Sequence, residues 1–134
     1  MIEIPQAAWI KANELLDMIP FPFEQVYCAP KERGVYLINK TGKKGSNTIY
    51  VGETGDLSDR LRAHYSGELQ DSTSNLRRKL KSKYGVEIGP EMREWISKNC
   101  EFSYVEIQDS DLCRFVEAAV ILHLRKRSEP LLND

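Results

Sequence analysis

The chain has little cysteine and no long apolar run. Its 134 residues include 3 cysteines, an odd number at scattered positions, which does not supply the paired framework of a small disulfide-stabilised secreted domain. No segment approaches the roughly 20 consecutive apolar residues that cross a bilayer, and the N-terminus lacks the basic-then-apolar pattern of a secretory signal. We therefore expect reduced thiols, no membrane insertion and a cytoplasmic protein.

An excess of charge of one sign and internal repeats are absent too. The 19 basic and 20 acidic residues leave a net charge of −1, so electrostatics alone do not indicate a polyanion partner. With 41% hydrophobic residues the composition is that of an ordinary globular protein, and the length fits one domain. We divide the chain into an N-terminal helical extension, residues 1–30, and a main domain, residues 31–134.

Basic residues are nevertheless concentrated between residues 60 and 84. Only Glu68 and Asp71 oppose them in this segment. Such a stripe is either a solvated helix face or the electrostatic footprint of a polyanion partner. Its members are Arg60, Arg62, Arg77, Arg78, Lys79, Lys81 and Lys83.

Two short segments rich in β-forming residues predict a hairpin. GVYLINK (34–40) and TIYVG (48–52) flank a turn-rich basic link. Because side chains alternate along a strand, an even register places Tyr36 and Tyr50 on one face. The aliphatic residues of the two strands are then left to form the core on the other face.

Helices are predicted on both sides of this hairpin. Residues 6–19 place Trp9, Ala12, Leu16 and Ile19 at helical spacing, and Pro20 and Pro22 end the pattern. This helix suits an accessory lid or a dimer contact.

After Gly55, Asp56 is placed as the N-cap of a helix that carries Arg60 and His64 four residues apart and stops at Gly67. A further helix is predicted over residues 74–84, with Leu76, Leu80 and Tyr84 inward and its basic residues outward.

A lone carboxylate interrupts the apolar pattern near the end of the chain. Glu117 stands within FVEAAVILHL (115–124), in a helix predicted over residues 111–127. The carboxylate either points to solvent or, if it is buried, must pair, protonate or bind a metal, because an unpaired buried charge is costly.

These residues, in this order and at these spacings, closely resemble the motifs of the GIY-YIG nuclease family. Gly34-Val35-Tyr36 corresponds to the first half of the family name and Tyr50-Val51-Gly52 to the second. Arg60 and His64, Glu117 and Asn133 follow in order, so the resemblance extends over residues 33–134.

The resemblance implies a small α+β domain whose three-stranded antiparallel sheet is flanked by helices. It also implies an endonuclease that hydrolyses DNA phosphodiester bonds with Mg²⁺ or Mn²⁺. Arg60 would donate two hydrogen bonds to the non-bridging oxygens of the phosphate, and Glu117 would be the protein ligand of the metal. The base would be Tyr36 or Tyr50, and members of the family differ on which; His64 could accept a proton from a tyrosine or water.

Other residues are assigned supporting roles by the same resemblance. Gly52 leaves room for phosphate or backbone to approach, or is ordinary turn chemistry, and Asn133 orients groups near the site unless the terminus frays. Repair-type members carry a lysine directly after the second motif, whereas this chain has Glu53. Glu53, which we expect to face away from the phosphate, and His64 in place of a tyrosine point toward homing and restriction-type members.

DNA binding is expected along the basic helix and the hairpin loop. The residues assigned to it are Lys43, Lys44, Arg77, Arg78 and Lys81, together with Gly52 at the site. One alternative is a domain of the same fold that binds nucleic acid with little or no turnover, and another is an intracellular scaffold without nucleic-acid binding. Specificity would come from the domain itself, from a homodimer contact through the N-terminal helix, or from an unknown protein partner.

Overall fold

A computed structural model describes residues 3–42, 45–66 and 75–133. The hairpin-loop lysines Lys43 and Lys44, and the helix stop predicted at Gly67, lie outside the described residues. The helices are α1 (Gln6–Asp17), a 3₁₀ helix (Phe23–Cys28), α2 (Leu57–Ser66), α3 (Asn75–Tyr84), α4 (Pro90–Asn99) and α5 (Ser110–Lys126). The strands are β1 (Phe21–Pro22), β2 (Gly34–Gly42), β3 (Gly45–Thr54) and β4 (Cys100–Glu106).

The strands of the described residues form one antiparallel sheet of four strands in the order β1-β4-β2-β3. The α+β class is confirmed, but the expectation of three strands is wrong. The additional strand, β1, pairs Phe21 with Phe102 and Pro22 with Glu101. Two residues are too few to show an alternating pattern, and we interpreted Pro22 only as a helix breaker, although proline is tolerated in an edge strand. β3 forms the other edge.

The predicted hairpin is β2 with β3, and its register determines where the tyrosines point. Tyr36 pairs with Gly52 and Ile38 with Tyr50, so Tyr36 and Tyr50 share one face, as expected, with ring centroids 6.4 Å apart. The register then shifts, because Asn39 pairs with Thr48. Ile49 is the extra residue of this bulge, and its side chain joins the core on the tyrosine face.

Apolar residues cover both faces of the sheet, so our expectation of a core on the face away from the tyrosines is only partly right. On the face opposite the tyrosines, Val35, Leu37 and Val51 pack with α1 and α5. On the tyrosine face, the 3₁₀ helix, α2, α3 and α4 pack with Tyr36 and Ile38. The sheet is therefore the middle of three layers, and β3 is the edge at which the two outer layers approach each other.

Helix α1 is rotated by one residue from the predicted orientation. Its buried residues are Ala8, Ala12 and Leu15, whereas Ile19 is 85% exposed and lies beyond the helix end at Asp17. The two alanines let α1 pack closely against α5. Of the predicted stripe, Ala12 is buried, and Trp9 and Leu16 pack partly buried against the same core. The boundary between residues 30 and 31 stays a prediction.

Arg77 is the exception among the basic residues of α3. We expected it to face outward, but its side chain is only 2% exposed, and its Nη1 donates to the carbonyl oxygens of His64 at 3.1 Å and Tyr65 at 2.9 Å. These carbonyls belong to the last turn of α2, where the helix leaves acceptors unsatisfied. Arg77 therefore joins α3 to the end of α2.

None of the helices in the described part of the chain has the length and hydropathy that a membrane-spanning helix needs.

Candidate active site

A cavity of about 360 Å³ opens at the β3 edge of the sheet. β2 and β3 contribute the two tyrosines, α2 contributes Arg60 and His64, and α5 reaches the cavity from the opposite face. Six residues that the sequence assigns to catalysis therefore line one space, although they are spread over nearly 100 positions of the chain. The lining residues are Tyr36, Tyr50, Val51, Gly52, Glu53, Arg60, His64, Glu117 and Asn133.

Tyr36 and His64 form a buried hydrogen-bonded pair. The Tyr36 hydroxyl lies 2.6 Å from His64 Nε2, and both side chains are about 2% exposed. Burial lowers the pKa of His64 to about 3, and the charges of Arg60 and Arg77 act in the same direction. Burial also raises the pKa of Tyr36 well above its usual value, although Arg60 opposes this shift. At neutral pH both groups are uncharged, and the phenol donates to the imidazole in the tautomer whose Nε2 carries no proton.

We predict that the ring of His64 stays neutral between about pH 5 and pH 8, because its pKa lies far below that of an exposed histidine. The unfolded chain takes up this proton first, so the free energy of unfolding should fall as the pH drops from about 6.5 toward 3. His64→Gln should weaken that dependence. NMR titration of the ring and urea unfolding at several pH values measure both effects. A ring that titrates near pH 6.5 contradicts the prediction.

Arg60 provides the positive charge of the cavity. The N-cap expected at Asp56 is present, since its side chain accepts from the backbone N–H of Asp59 at 3.0 Å, and Arg60 follows in the first turn of α2. Its guanidinium is half-buried, and in the described part of the chain it forms no ion pair with Glu53 or Glu117, which line the same cavity. Arg60 is therefore available to an anion that enters from solvent.

Two carboxylates lie on the α5 side of the cavity. Glu117 is half-buried, and its pKa is raised by burial and by the neighbouring Glu53 carboxylate, whereas the backbone N–H of Glu53 opposes the shift. The alternative that Glu117 simply faces solvent is therefore excluded. The expectation that Glu53 faces away from the phosphate stays a prediction. Glu53 follows Gly52 by one residue, so its side chain leaves β3 toward α5 and lines the cavity with Glu117.

The donor set suits a hard divalent cation held mainly by solvent and substrate. Carboxylate oxygens are the ligands that Mg²⁺ prefers, and a cation relieves the repulsion between Glu53 and Glu117. Within residues 3–42, 45–66 and 75–133 no group of three or more histidine, cysteine, aspartate or glutamate side chains is placed to hold a metal. Among the described residues, Glu53 and Glu117 are the acidic side chains that line this cavity, and water or phosphate oxygens would complete the coordination.

Gly52 makes room for Tyr36. The two residues are paired in the β2–β3 register, and a Cβ on Gly52 would overlap the Tyr36 hydroxyl. We had assigned this space to phosphate or backbone, but in the structure the tyrosine that bonds to His64 fills it. Glycine at this position therefore lets the phenol lie across β3 and reach α2.

We predict that Gly52→Ala lowers cleavage by about 10- to 100-fold, because a displaced Tyr36 loses its hydrogen bond to His64 and a misplaced reacting group is costly. Overpacking should also lower the free energy of unfolding by about 1–3 kcal/mol. Gly55→Ala is the matched control, since the nearest atom to its Cβ is Arg33 Nη2 at 3.6 Å. If both variants behave like the wild type, the fit between Gly52 and Tyr36 does not matter to the site.

The C-terminal tail wraps around the edge of β3. Leu131 packs into the core next to α5 and Leu132 into the core on the tyrosine face, so consecutive leucines straddle the sheet. The backbone N–H of Leu132 donates to the carbonyl of Ile49 at 2.6 Å. Asn133 then accepts from the N–H of Val51 at 2.9 Å and donates to its carbonyl at 2.8 Å. Its amide thus completes the exposed edge of the strand, and the alternative of a frayed terminus does not hold at this residue.

The residues assigned to DNA binding do not form one group. Arg78 and Lys81 lie on the exposed face of α3, where Lys81 pairs with Glu87 at 3.6 Å, but Arg77 lies in the interior. Lys43 and Lys44 are outside the described residues. The sequence interpretation missed Glu53 as a cavity residue. Strand alternation places Glu53 on the same face as Val51, which could have indicated that its side chain points toward another element.

Together the fold and the cavity define a site that combines a guanidinium, two carboxylates and a hydrogen-bonded tyrosine–histidine pair at the edge of the sheet. No protein-family model and no curated protein matches the chain. Among solved structures, the chain is similar to the GIY-YIG N-terminal endonuclease domain of UvrC from Thermotoga maritima bound to its catalytic magnesium, with 21% identity and a TM-score of 0.49 over 76% of this chain and 88% of that one.

Two point mutants of that domain, also bound to the catalytic divalent cation, are similar at the same level. One has 22% identity and a TM-score of 0.48, the other 22% and 0.47, and each match covers 76% of this chain and 87% of that one.

Proposed function

We propose that this protein is a divalent-metal-dependent endonuclease that hydrolyses phosphodiester bonds of DNA. One observation carries the proposal. The Arg60 guanidinium, the half-buried Glu117 carboxylate and a tyrosine bonded to a neutral histidine line the same cavity. These are the groups that hydrolysis of a phosphodiester requires, namely fixed positive charge, a metal ligand and a proton acceptor.

The charge of the cavity supports a metal requirement. With His64 and Tyr36 uncharged, Arg60 contributes one positive charge and Glu53 and Glu117 contribute two negative ones. A phosphodiester would add another negative charge to a site that is already negative. Glu117 is the residue that would hold Mg²⁺ or Mn²⁺, with Glu53 beside it. When bound, the cation would offset this charge and stabilise the charge that develops during hydrolysis.

Arg60 binds the phosphate in this mechanism. Its planar guanidinium can place two parallel donors on non-bridging oxygens, and it is held on the first turns of α2 at the cavity wall. Because it is not neutralised by either carboxylate of the cavity, binding a phosphate does not require an ion pair to break first. Its charge also favours any phenolate that forms at Tyr36.

Tyr36 is the proposed proton acceptor, with His64 behind it. The attacking water gives its proton to the Tyr36 oxygen. At the same time the phenol proton passes to His64 Nε2 along the hydrogen bond between them, in which the oxygen and nitrogen are 2.6 Å apart. The imidazole can accept the proton because it is neutral before the reaction, although burial, which lowers its pKa to about 3, disfavours the charged form that the transfer produces. Tyr50, which is more exposed and lies 5.6 Å from His64 between ring centroids, lines the cavity and orients the substrate.

DNA would approach along the exposed face of α3 through Arg78 and Lys81, with the loop lysines Lys43 and Lys44 as further phosphate contacts. Asn133 supports the site by holding β3 rather than by contacting the substrate. A cytoplasmic location, a homodimer contact through α1 and the role of α1 as a lid stay predictions.

Nicking of supercoiled plasmid with Mg²⁺, with Mn²⁺ and with a chelator tests the proposal. We expect cleavage with either metal and none with the chelator. Duplex, flap, branched and single-stranded substrates then define the structure preference. If the protein binds DNA in a salt-sensitive way but does not cleave it, the nuclease proposal is wrong and a nucleic-acid-binding domain is favoured. If it neither binds nor cleaves DNA, a scaffold without nucleic-acid binding is favoured.

A further inference from the structure

The C-terminal tail is held from a second side, by helix α3. The side chain of Lys79 is half-buried, and its Nζ donates to the carbonyl oxygen of Leu132 at 2.5 Å. Leu132 is the residue whose N–H bonds to Ile49 on β3. Leu132, which precedes Asn133, is therefore bound by the strand through its N–H and by the ammonium group of Lys79 through its carbonyl oxygen.

Lys79 differs in this respect from the basic residues beside it. Arg78 and Lys81 are exposed on the outer face of α3, where they can meet a phosphate, whereas Lys79 points along the helix side that carries Leu76 and Leu80 toward the sheet. A charge-assisted hydrogen bond from a half-buried lysine is stronger than one between neutral groups. Its position between α3 and the tail suits a clamp.

The clamp acts on the edge of β3 that carries the site. Asn133 holds both backbone groups of Val51, and the neighbouring residues Tyr50 and Gly52 line the cavity. If the tail leaves the strand, Val51 loses two hydrogen bonds and Asn133 leaves the cavity wall. Small displacements of a reacting group can lower catalysis strongly.

We propose that Lys79 is a positioning residue, which clamps the C-terminal tail so that Asn133 stays bound to Val51 and the edge of β3 keeps the geometry of the active site. This role rests on the proposed nuclease function, but the clamp itself is a structural property that can be measured without substrate. Lys79 touches neither substrate nor metal in this proposal.

The test compares Lys79→Met with Lys98→Met. Methionine keeps much of the apolar stem and removes the ammonium group, and Lys98 is a matched control because it lies exposed on α4 and pairs only with the surface residue Glu94 in the described structure. Hydrogen exchange of the Val51 amide should be faster in Lys79→Met and unchanged in Lys98→Met. Lys79→Arg, which can still donate to Leu132, should restore protection.

Enzyme kinetics add a second readout. Lys79→Met should lower kcat by about tenfold with little change in KM, because an interaction that only positions the site acts on the chemical step. Asn133→Ala should have a similar effect, and the double variant Lys79→Met/Asn133→Ala should be no worse than Asn133→Ala alone. Additive losses would mean that Lys79 does not act through Asn133.

The two proposals fail in different ways. If the wild type cleaves no DNA but Val51 exchange is faster only in Lys79→Met, the clamp stands and the nuclease function fails. If the wild type is active and Val51 exchange is the same in Lys79→Met and Lys98→Met, the clamp is overturned. If Lys79→Met does not fold, hydrogen exchange is measured in the folded Lys79→Arg variant instead. Arginine can still donate to Leu132, so faster exchange of the Val51 amide in Lys79→Arg than in the wild type would contradict the clamp.

Discussion

Glu117→Gln should reduce metal-dependent cleavage by at least about 1000-fold, because the charge stabilisation that a bound metal supplies amounts to roughly 4 kcal/mol or more. Glutamine keeps the shape and one oxygen of the side chain but removes the charge that holds a divalent cation. Plasmid nicking and single-turnover kinetics at saturating DNA measure the loss.

The same substitution should not destabilise the fold. Burial and the neighbouring Glu53 raise the pKa of Glu117, so its charged form is disfavoured in the folded protein. A neutral side chain removes this repulsion, and urea unfolding at neutral pH without metal should show an unchanged or higher free energy of unfolding. The loss of activity can then be assigned to the site and not to unfolding.

Thermal unfolding with and without Mg²⁺ supplies a control that needs no substrate. Mg²⁺ should raise the Tm of the wild type and leave that of Glu117→Gln nearly unchanged, since a ligand stabilises only the state that binds it. Asp111→Asn is the matched control on the same helix, because Asp111 is exposed and lies 4.0 Å from Arg114. If Glu117→Gln cleaves DNA as fast as Asp111→Asn, Glu117 does not hold the catalytic metal.

Arg60→Ala should lower kcat by about 100- to 1000-fold, comparable to the loss of a preorganised donor at a developing anion. The positive charge of Arg60 lowers the pKa values of both Tyr36 and His64. Its removal takes away both the contact to the phosphate and the charge that favours a phenolate. Arg60→Lys should recover part of the rate, because lysine keeps the charge but not the two parallel donors.

Arg62→Ala is the control for the loss of charge on α2. Arg62 lies two residues further along the helix and forms an ion pair with Asp59 at 2.9 Å. We expect less than about a threefold change in kcat, which corresponds to the small contribution of a partly exposed ion pair. Equal losses in Arg60→Ala and Arg62→Ala would show that cleavage depends on the general charge of α2 and not on a guanidinium in the cavity.

The parts of the site that could be predicted are those that depend on local geometry. Strand periodicity places Tyr36 and Tyr50 on one face, and helical spacing places Arg60 next to His64. Both arrangements are present in the structure. They were accessible because each involves residues within one hairpin or one helix, so no distant contact had to be known.

The errors concern residues whose surroundings come from elsewhere in the chain. Arg77 looks like an outward-facing helix residue until the end of α2 presents two carbonyls to it. Glu53 looks like a solvent-facing strand residue until α5 brings Glu117 beside it. Ile49 changes faces because of a bulge that the strand pattern does not show. For Arg77 and Glu53 a contact between distant segments overrides the local preference, and for Ile49 an irregularity within the hairpin does so.

The sequence by itself therefore determined the hairpin with its tyrosines, the helix with its arginine and histidine, the lone carboxylate of α5 and the family that these motifs resemble. Only the tertiary structure decided that these groups share one cavity at the edge of β3, that His64 is neutral, and that the tail and Lys79 hold this edge. The physical reason is that spacing along the chain specifies which side of an element a residue occupies. Burial, pKa and the distance between charges depend on how the elements pack.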